Sequence, residues 1–167
     1  LKDLAFSSGL KSVILRYFNA AGAISDSSFG EMHNPETHLI PLVVEAALGI
    51  RDNIKIFGNN YETFDGTCIR DYIHVCDLAD AHVKALNVFP KENSQFNTCE
   101  VFNLGNGNGT SVKEIITSVE KVSNKKINTI EAPRRSGDPA ILIASSKKIK
   151  SLLNWEPKYP TINKIVK

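Results

Sequence analysis

Arg70 is a side chain well suited to bind a charged group, and it lies in the motif GTCIRDYIHV at residues 66–75. The alternation of apolar residues after it predicts a strand, so we expect the guanidinium to be held at the mouth of that strand. Arginine presents a rigid planar set of donors that matches the oxygens of a phosphate or carboxylate. The alternative is a plain surface ion pair between Arg70 and Asp71.

A second group of donors is found at residues 133–139, which read PRRSGDP. Two arginines precede a Gly-Asp-Pro turn, which makes the backbone rigid and the cluster compact. Arg135 and Asp138 offer donors and one acceptor at short separation, a pattern that suits a phosphorylated sugar or a nucleotide. Paired arginines in a loop are also commonly solvent-facing, which is the competing interpretation.

Asn19 and His38 are two further candidate contacts at the ends of predicted elements. Asn19 follows the apolar run at residues 13–15, near the end of a predicted strand buried on both faces, where α/β proteins usually place ligand contacts. It is otherwise a turn residue. His38 precedes a predicted helix with Pro41 in its first turn and Gly49 as its end, so the ring and the unpaired N–H groups could face an anion. A histidine at this position is otherwise a polar cap.

The elements that must position these side chains alternate between strands and helices. Apolar runs predict strands at residues 13–15, 53–57, 101–104 and 126–132, besides the strand of the 66–75 motif. Helical spacing predicts helices that follow His38, Asp77, Ser111 and Ser145 or Ser146, and residues 1–8 read as helical turns that end at Gly9. Residues 24–36 are a predicted loop. The alternation indicates an α/β fold.

Two of these helices carry detailed expectations. Asp77 is expected to cap the second helix with Asp80 three residues on, and His82 is expected to be a packed core histidine. Ser111 and Glu114 are expected to form a capping box for the third helix. The buried stripe of the second helix is predicted to consist of Leu78, Ala81, Ala85, Leu86 and Phe89.

The glycines at positions 105, 107 and 109 follow a predicted strand and precede a helix, as in a dinucleotide-binding turn. Glu131 lies downstream, where a ribose-binding acid would be sought. The spacing is Gly-x-Gly-x-Gly rather than Gly-x-Gly-x-x-Gly, however, and a tight strand-to-helix turn explains these glycines without a cofactor.

The composition narrows the class of protein. The 167 residues are 42% hydrophobic and 23% charged, which is typical of a soluble globular domain, and no apolar run reaches the length that a bilayer requires. We therefore expect a cytoplasmic protein without membrane contact. The net charge of +2 and the absence of a basic patch with interleaved aromatics argue against nucleic acid. Three cysteines without Cys-x-x-Cys spacing suggest neither disulfides nor zinc, and no metal ligand is nominated.

Taken together and in this order, the motifs resemble those of the UDP-glucose 4-epimerase family, in the extended short-chain dehydrogenase/reductase superfamily. The segments that carry the resemblance read RYFNAAG at 16–22, HLIP at 38–41, IFG at 56–58, DGT at 65–67, RDYIHV at 70–75, NLG at 103–105 and RRSGDP at 134–139. The resemblance covers essentially the whole chain, but only the later half of such an enzyme. The chain also opens without an initiator Met, so we expect a piece of a longer protein.

The resemblance implies an α/β fold that combines the end of a doubly wound Rossmann-type domain with the smaller α/β substrate-binding domain. Residues 1–24 would be the last helix turn and strand of the NAD-binding domain. Residues 25–167 would be the substrate-binding part, with 77–104 packing back on the first domain. NAD would be bound mainly by the missing N-terminal part, and the full-length enzyme could form a homodimer.

Site residues follow from the same resemblance. No catalytic residue is nominated, because the Tyr-x-x-x-Lys pair of the family has no counterpart here. Leu142 falls where the family gates its sugar pocket by side-chain size, and it does not settle whether N-acetylated sugars enter. The implied contacts with a UDP-hexose are Asn19, Arg70, His38 and Leu39 near the diphosphate, Ile56 and Phe57 at the uracil, and Arg135 and Asp138 at phosphate and ribose, with Tyr17 bordering the nicotinamide of NAD.

Three functions remain open on these motifs. The first is an epimerase that interconverts UDP-galactose and UDP-glucose through a 4-keto intermediate, with this chain alone inactive. The second is a non-catalytic nucleotide-sugar-binding module. The third is a sister nucleotide-sugar dehydratase or decarboxylase, since the Tyr-Phe-Asn and Arg-Asp-Tyr-Ile-His-Val motifs recur among sisters.

Overall fold

The fold is a mixed α/β arrangement, seen in a computed structural model that describes residues 1–24, 26, 28–89 and 98–167. Positions 25 and 27 of the predicted loop, and positions 90–97 within the predicted segment 77–104, lie outside the described residues. The helices are α1 Lys2–Ser8, α2 Leu39–Leu48, α3 Val75–Leu86, α4 Val112–Ser123, α5 Lys147–Leu153 and α6 Ile162–Ile165. The strands are β1 Ser12–Tyr17, β2 Asn19–Ala21, β3 Ile54–Phe57, β4 Ile69–His74, β5 Cys99–Leu104, β6 Gly109–Ser111, β7 Thr129–Ala132 and β8 Ile141–Leu142.

The strands pair in three groups, mostly in parallel. β1 pairs with β5 and β3 pairs with β7, both in parallel. β4 is the centre of the third group, because β2 and β8 pair with it in parallel and β6 in antiparallel. The chain leaves the first group after Tyr17 and enters the third at Asn19, so only one residue separates the two sheets.

Strand β4 lies between two hydrophobic cores, because successive side chains of a strand point to opposite faces. Tyr72 belongs to a core built by α2, β3 and α4, whereas Ile73 belongs to one built by α3, β5 and α5. The second core contains Phe102 and Trp155, both fully buried. Truncation of such a side chain to alanine costs roughly 3–5 kcal/mol, so these two fix how the second core packs.

Local sequence explains most of the helix boundaries. Gly49 ends α2 in the left-handed conformation at φ 76°, which glycine adopts without steric cost. Ser111 and Glu114 form the predicted capping box of α4. Ser146 precedes α5, as predicted. The predicted α/β fold is confirmed, and most of its strand pairs are parallel.

Helix α3 begins at a different cap from the one predicted. His74 is its N-cap, since its Nδ1 accepts from the backbone N–H of Cys76 at 3.1 Å. Asp77 is instead buried inside the first turn and accepts from the N–H groups of Lys158 and Tyr159, at 2.8 and 3.0 Å. The cap prediction was wrong because these partners lie about 80 positions away in the chain and local spacing does not reveal them.

His82 is exposed rather than packed in the core, and its Nδ1 contacts the carbonyl oxygen of Leu78 at 2.8 Å. Leu86 is 80% exposed, so the predicted buried stripe is shorter than expected. Phe6 on α1, at 96%, and Val83 on α3, at 60%, are exposed as well. The strand expected to be buried on both faces, β1, is only half-buried between Ser12 and Leu15. Apolar side chains on α1 and α3 therefore face outward.

Across the described part of the chain, each helix is too short or too polar to cross a membrane.

Candidate functional site

Arg70 and Asp138, which are 68 positions apart in the sequence, form an ion pair in the folded chain. The Nη2 of Arg70 donates to Oδ1 of Asp138 at 2.6 Å, and its Nη1 donates to the carbonyl oxygen of Ile69 at 2.8 Å. The two side chains are 13% and 29% exposed, so water screens the pair only in part. The predicted alternative, a surface pair between Arg70 and Asp71, was wrong. These hydrogen bonds use two of the five N–H groups of a guanidinium, and donors remain for a ligand.

Arg135 reaches the same region from the turn that carries Asp138. Its guanidinium carbon lies 4.0 Å from the centre of the Phe57 ring, a cation–π contact, and the backbone N–H of Asp138 donates to the carbonyl oxygen of Arg135 at 3.4 Å. Arg134 turns elsewhere, with its Nε on Oδ1 of Asn60 at 2.7 Å and its guanidinium on the Tyr61 ring. The two adjacent arginines therefore contact different aromatic rings, and Arg135 is the one that packs on Phe57.

Strand pairing places Leu142 and Asn19 beside this cluster. Leu142 in β8 is the direct partner of Arg70 in β4. Asn19 in β2 is the partner of Tyr72, two positions beyond Arg70 and on the same face of the strand, because the period of a strand is two. Asn19 and Leu142 are both exposed. An exposed amide and an exposed apolar side chain thus flank the half-buried guanidinium.

Leu39 and Ile56 meet through the first core, where Ile56 is buried and Leu39 packs against the cluster from the start of α2. His38, next to Leu39, has its hydrogen bond and ring contact with the loop before α2, through Glu36 and His33. The structure therefore brings Leu39 and Ile56 into the core that also contains Tyr72 of β4, and it leaves the His38 ring with the loop.

Tyr17 lies at the end of β1, one residue before the chain enters the sheet that carries Asn19. Its ring is half-exposed, at 52%, and its centre is 6.3 Å from that of His82. The side chain thus borders the carboxyl edge of the β1–β5 pair, the edge at which α/β proteins place ligands.

Asp71 is a central residue of this region that sequence reasoning did not identify. It is fully buried, and its carboxylate accepts three backbone N–H groups, from Asn106 at 2.9 Å, Gly107 at 3.0 Å and Ala144 at 3.1 Å. Burial raises the pKa of Asp71, and the three N–H groups oppose that rise. The apolar residues around Asp71 signalled burial, but its partners lie 35 to 73 positions away.

The glycine turn is organised by this carboxylate. A Cβ on Gly105 would lie 2.5 Å from Oδ2 of Asp71, which only a glycine avoids. Because the N–H groups of Asn106 and Gly107 already bind Asp71, they are not available to a cofactor phosphate. The tight-turn interpretation therefore fits this turn, and the dinucleotide-binding interpretation does not.

Tyr72 and Cys68 are two buried groups next to the ion pair of Arg70 and Asp138. Burial raises the pKa of Tyr72 to about 12, against the nearby Arg70, so the phenol stays neutral around pH 7. Asp138 also lies 3.8 Å from the buried Sγ of Cys68. Arg70, Arg135 and Asp138 are therefore the charged side chains that the β4 strand and the 133–139 turn bring together.

Comparison with protein families defines the class. A model of the GDP-mannose 4,6 dehydratase family matches residues 2–167, and the chain belongs to this family. UDP-glucose 4-epimerase of Halalkalibacterium halodurans is 54% identical over 158 residues, which are 95% of this chain and 46% of that protein. The chain spans about half the length of the curated relatives it matches. The resemblance to UDP-glucose 4-epimerases that the motifs indicated is confirmed.

Solved structures agree. The UDP-glucose 4-epimerase of Brucella ovis in complex with NAD superposes with a TM-score of 0.91 at 43% identity, covering 99% of this chain and 50% of that one. The enzyme of Bifidobacterium longum in complex with NAD+ and UDP gives a TM-score of 0.89 at 36% identity, covering 99% and 48%.

Proposed function

We propose that this chain supplies the UDP-sugar-binding part of a UDP-glucose 4-epimerase. The observation that carries the proposal is the contact between Arg70 and Asp138 at 2.6 Å, on the turn whose Arg135 covers the Phe57 ring. Three distant segments thus bring two guanidinium groups, a carboxylate and an aromatic ring together. The names of the relatives, and a neighbour solved with NAD+ and UDP, support this substrate class.

In this proposal each side chain has a distinct task. Arg70 and Asn19 bind the diphosphate, with Leu39 and His38 beside it at the start of α2. Phe57 offers its ring to the uracil and the backbone at Ile56 offers its polar groups, because the Ile56 side chain is buried in the first core. Arg135 keeps its place on one face of the Phe57 ring while binding phosphate. Asp138 gives up part of its contact with Arg70 to accept the ribose hydroxyls. Leu142, paired with Arg70, borders the hexose.

The chemistry requires that one end of the substrate is held while the other turns. With NAD bound by the N-terminal half, the hydride at C4 of the sugar would pass to NAD and the hydroxyl proton to a base outside this chain, and the hydride would return to the other face as the oxygen regains a proton. The residues of this chain hold the uridine diphosphate, so that the keto sugar can rotate without escaping. Binding energy from the non-reacting part of the substrate is then used to position the reacting part. Tyr17, half-exposed at the end of β1, would border the nicotinamide and exclude water there.

The domain assignment belongs to the same proposal. Residues 1–24 complete the NAD-binding domain, 25–167 form the substrate-binding part, and 77–104 return to the first domain. The pairing of β1 with β5 and the outward apolar side chains of α1 and α3 support this division. NAD would then be bound mainly by the N-terminal half, with the whole enzyme a cytoplasmic homodimer and this chain alone inactive.

Titration calorimetry with UDP tests directly the set that we call the UDP clamp, Asn19, Arg70, Arg135 and Asp138. We expect saturable binding that Arg70→Ala weakens by about 10- to 150-fold, because one charge-assisted hydrogen bond contributes about 1.5–3 kcal/mol. Arg51→Ala is the matched control, since Arg51 is an exposed arginine whose ion pair, among the described residues, is with Glu45, and the UDP affinity should stay within about twofold. An equal loss of UDP affinity in the two variants, or no heat on addition of UDP, would refute the proposed UDP clamp.

Turnover tests the enzyme. Co-expression with the complementary N-terminal half of an epimerase relative should restore interconversion of UDP-galactose and UDP-glucose. UDP binding without turnover in a folded complex would favour the non-catalytic module. Formation of a 4-keto-6-deoxy sugar or loss of CO2 from a uronic acid would favour a sister dehydratase or decarboxylase.

A further inference from the structure

The loop before α2 gathers a second group of ligand-type side chains, outside the proposed UDP clamp. Glu31, His33 and His38 each place one ligand atom within 4.8 Å of the other two. Nδ1 of His33 lies 3.6 Å from Oε1 of Glu31, and Nδ1 of His38 lies 3.8 Å from the same oxygen. The two imidazole rings meet edge to face, with centroids 5.2 Å apart. Two imidazoles and a carboxylate are ligand types that zinc, nickel and copper prefer.

Glu36 holds one of these ligands in a defined orientation. Its Oε1 accepts from the backbone N–H groups of Thr37 and His38 at 2.6 and 2.7 Å, and it contacts Nδ1 of His38 at 2.9 Å. Because Nδ1 then donates to this carboxylate, the lone pair of His38 is left on Nε2. A carboxylate that fixes the tautomer of a histidine is the usual outer-shell partner of a metal-bound imidazole.

We propose that Glu31, His33 and His38 bind a divalent transition-metal cation such as Zn2+, with Glu36 as the positioning residue of His38. Metal–ligand bonds of about 2.0–2.1 Å in a tetrahedral site need ligand atoms roughly 3.3–3.5 Å apart. Because Nδ1 of His38 contacts Glu36, His38 would coordinate through Nε2, so its ring must turn to aim this nitrogen at Glu31, and the three ligand atoms must converge by about 1 Å or more. The side chains are 45–59% exposed and can turn without disturbing a core, and a fourth position stays open to water.

The charges favour a cation over the bland alternative of surface pairing between histidine and glutamate. The carboxylates of Glu31 and Glu36 both lie against the rings, 3.6 Å from Nδ1 of His33 and 2.9 Å from Nδ1 of His38. The proposal does not rest on the UDP-sugar function, because Glu31 and His33 are not among the proposed clamp residues. His38 is the one of the three that the proposed function also places beside the diphosphate, so a bound cation would fix this residue at the start of α2.

Titration of the full chain with Co2+, followed by visible absorption, tests the site, with Zn2+ competition as a second reading. We expect one equivalent of Co2+, displaced by Zn2+, and an affinity that His33→Asn and Glu31→Gln each weaken at least tenfold. His82→Asn is the matched control, because His82 is an exposed histidine on α3, and it should leave the affinity within twofold.

Circular dichroism of each variant checks that the fold is kept, which the exposure of the replaced side chains favours. A near-ultraviolet charge-transfer band would indicate thiolate ligation by a cysteine and would overturn the assignment. So would the absence of saturable binding, or an affinity that His33→Asn and His82→Asn change equally.

Discussion

Asp71→Asn should destabilise the protein although the two side chains have nearly the same shape. The carboxylate accepts three N–H groups, one on Oδ1 and two on Oδ2. An amide seated with its NH2 on the Oδ1 side loses the bond from Asn106, and the opposite orientation loses two bonds. A hydrogen bond to a charged group contributes about 1.5–3 kcal/mol and a neutral one about 0.5–1.5 kcal/mol.

The gross loss is therefore one charged bond and the weakening of two others, on the order of 3–5 kcal/mol. Removing a buried charge returns part of this, since burial already raises the pKa of Asp71. We expect a net decrease of about 2–3 kcal/mol in the free energy of unfolding.

Urea unfolding followed by the fluorescence of Trp155 measures this decrease, because Trp155 is the single tryptophan and is fully buried. Hydrogen exchange gives a local measure, and the amide of Asn106, which loses its acceptor in the less costly orientation, should exchange roughly 30- to 150-fold faster in the variant. Asp80→Asn is the control, as Asp80 is a partly exposed partner of Lys84 and should change stability by about 0.5 kcal/mol or less. An unchanged urea midpoint together with unchanged exchange would refute the role of the Asp71 carboxylate.

Two further predictions concern pH and the isolated chain. Burial lowers the pKa of His74 below its unfolded value near 6.5, so the unfolded chain takes up the proton first as pH falls, and stability present above about pH 6.5 is lost below it. Protonated Nδ1 cannot accept from the N–H of Cys76, so protonation also removes the cap. Uptake of one proton on unfolding lowers the free energy of unfolding by at most about 1.4 kcal/mol per pH unit. His74→Asn keeps a capping side chain but cannot titrate, so its urea midpoint should change less with pH between 7.5 and 5.5 than that of the unmodified chain. The same pH dependence in both proteins would count against this account. The isolated chain, with Phe6 and Leu86 exposed, should bind a hydrophobic dye, and unchanged dye fluorescence would contradict this.

Local patterns predicted those parts of the fold that depend on neighbours within one turn or one strand. Gly49 and the pair Ser111 and Glu114 fixed helix ends, because capping involves residues no more than four positions apart. The apolar alternation around Arg70 correctly predicted a strand, because alternation also depends on near neighbours in the chain. His82 and Leu86 were misassigned because helical period gives the face of a helix, but not which part of that face another element covers.

The sequence by itself determined the α/β alternation, the positions of most strands and helix ends, and the motif set that indicates the family. Those features follow from backbone sterics and from side-chain period, which act locally. Only the tertiary structure decided that Arg70 pairs with Asp138 rather than Asp71, and that Arg135 rather than Arg134 reaches Phe57. It also decided that Asp71 binds the glycine turn. These partners lie 35 to 78 positions apart, and strand register and burial, not spacing, select them.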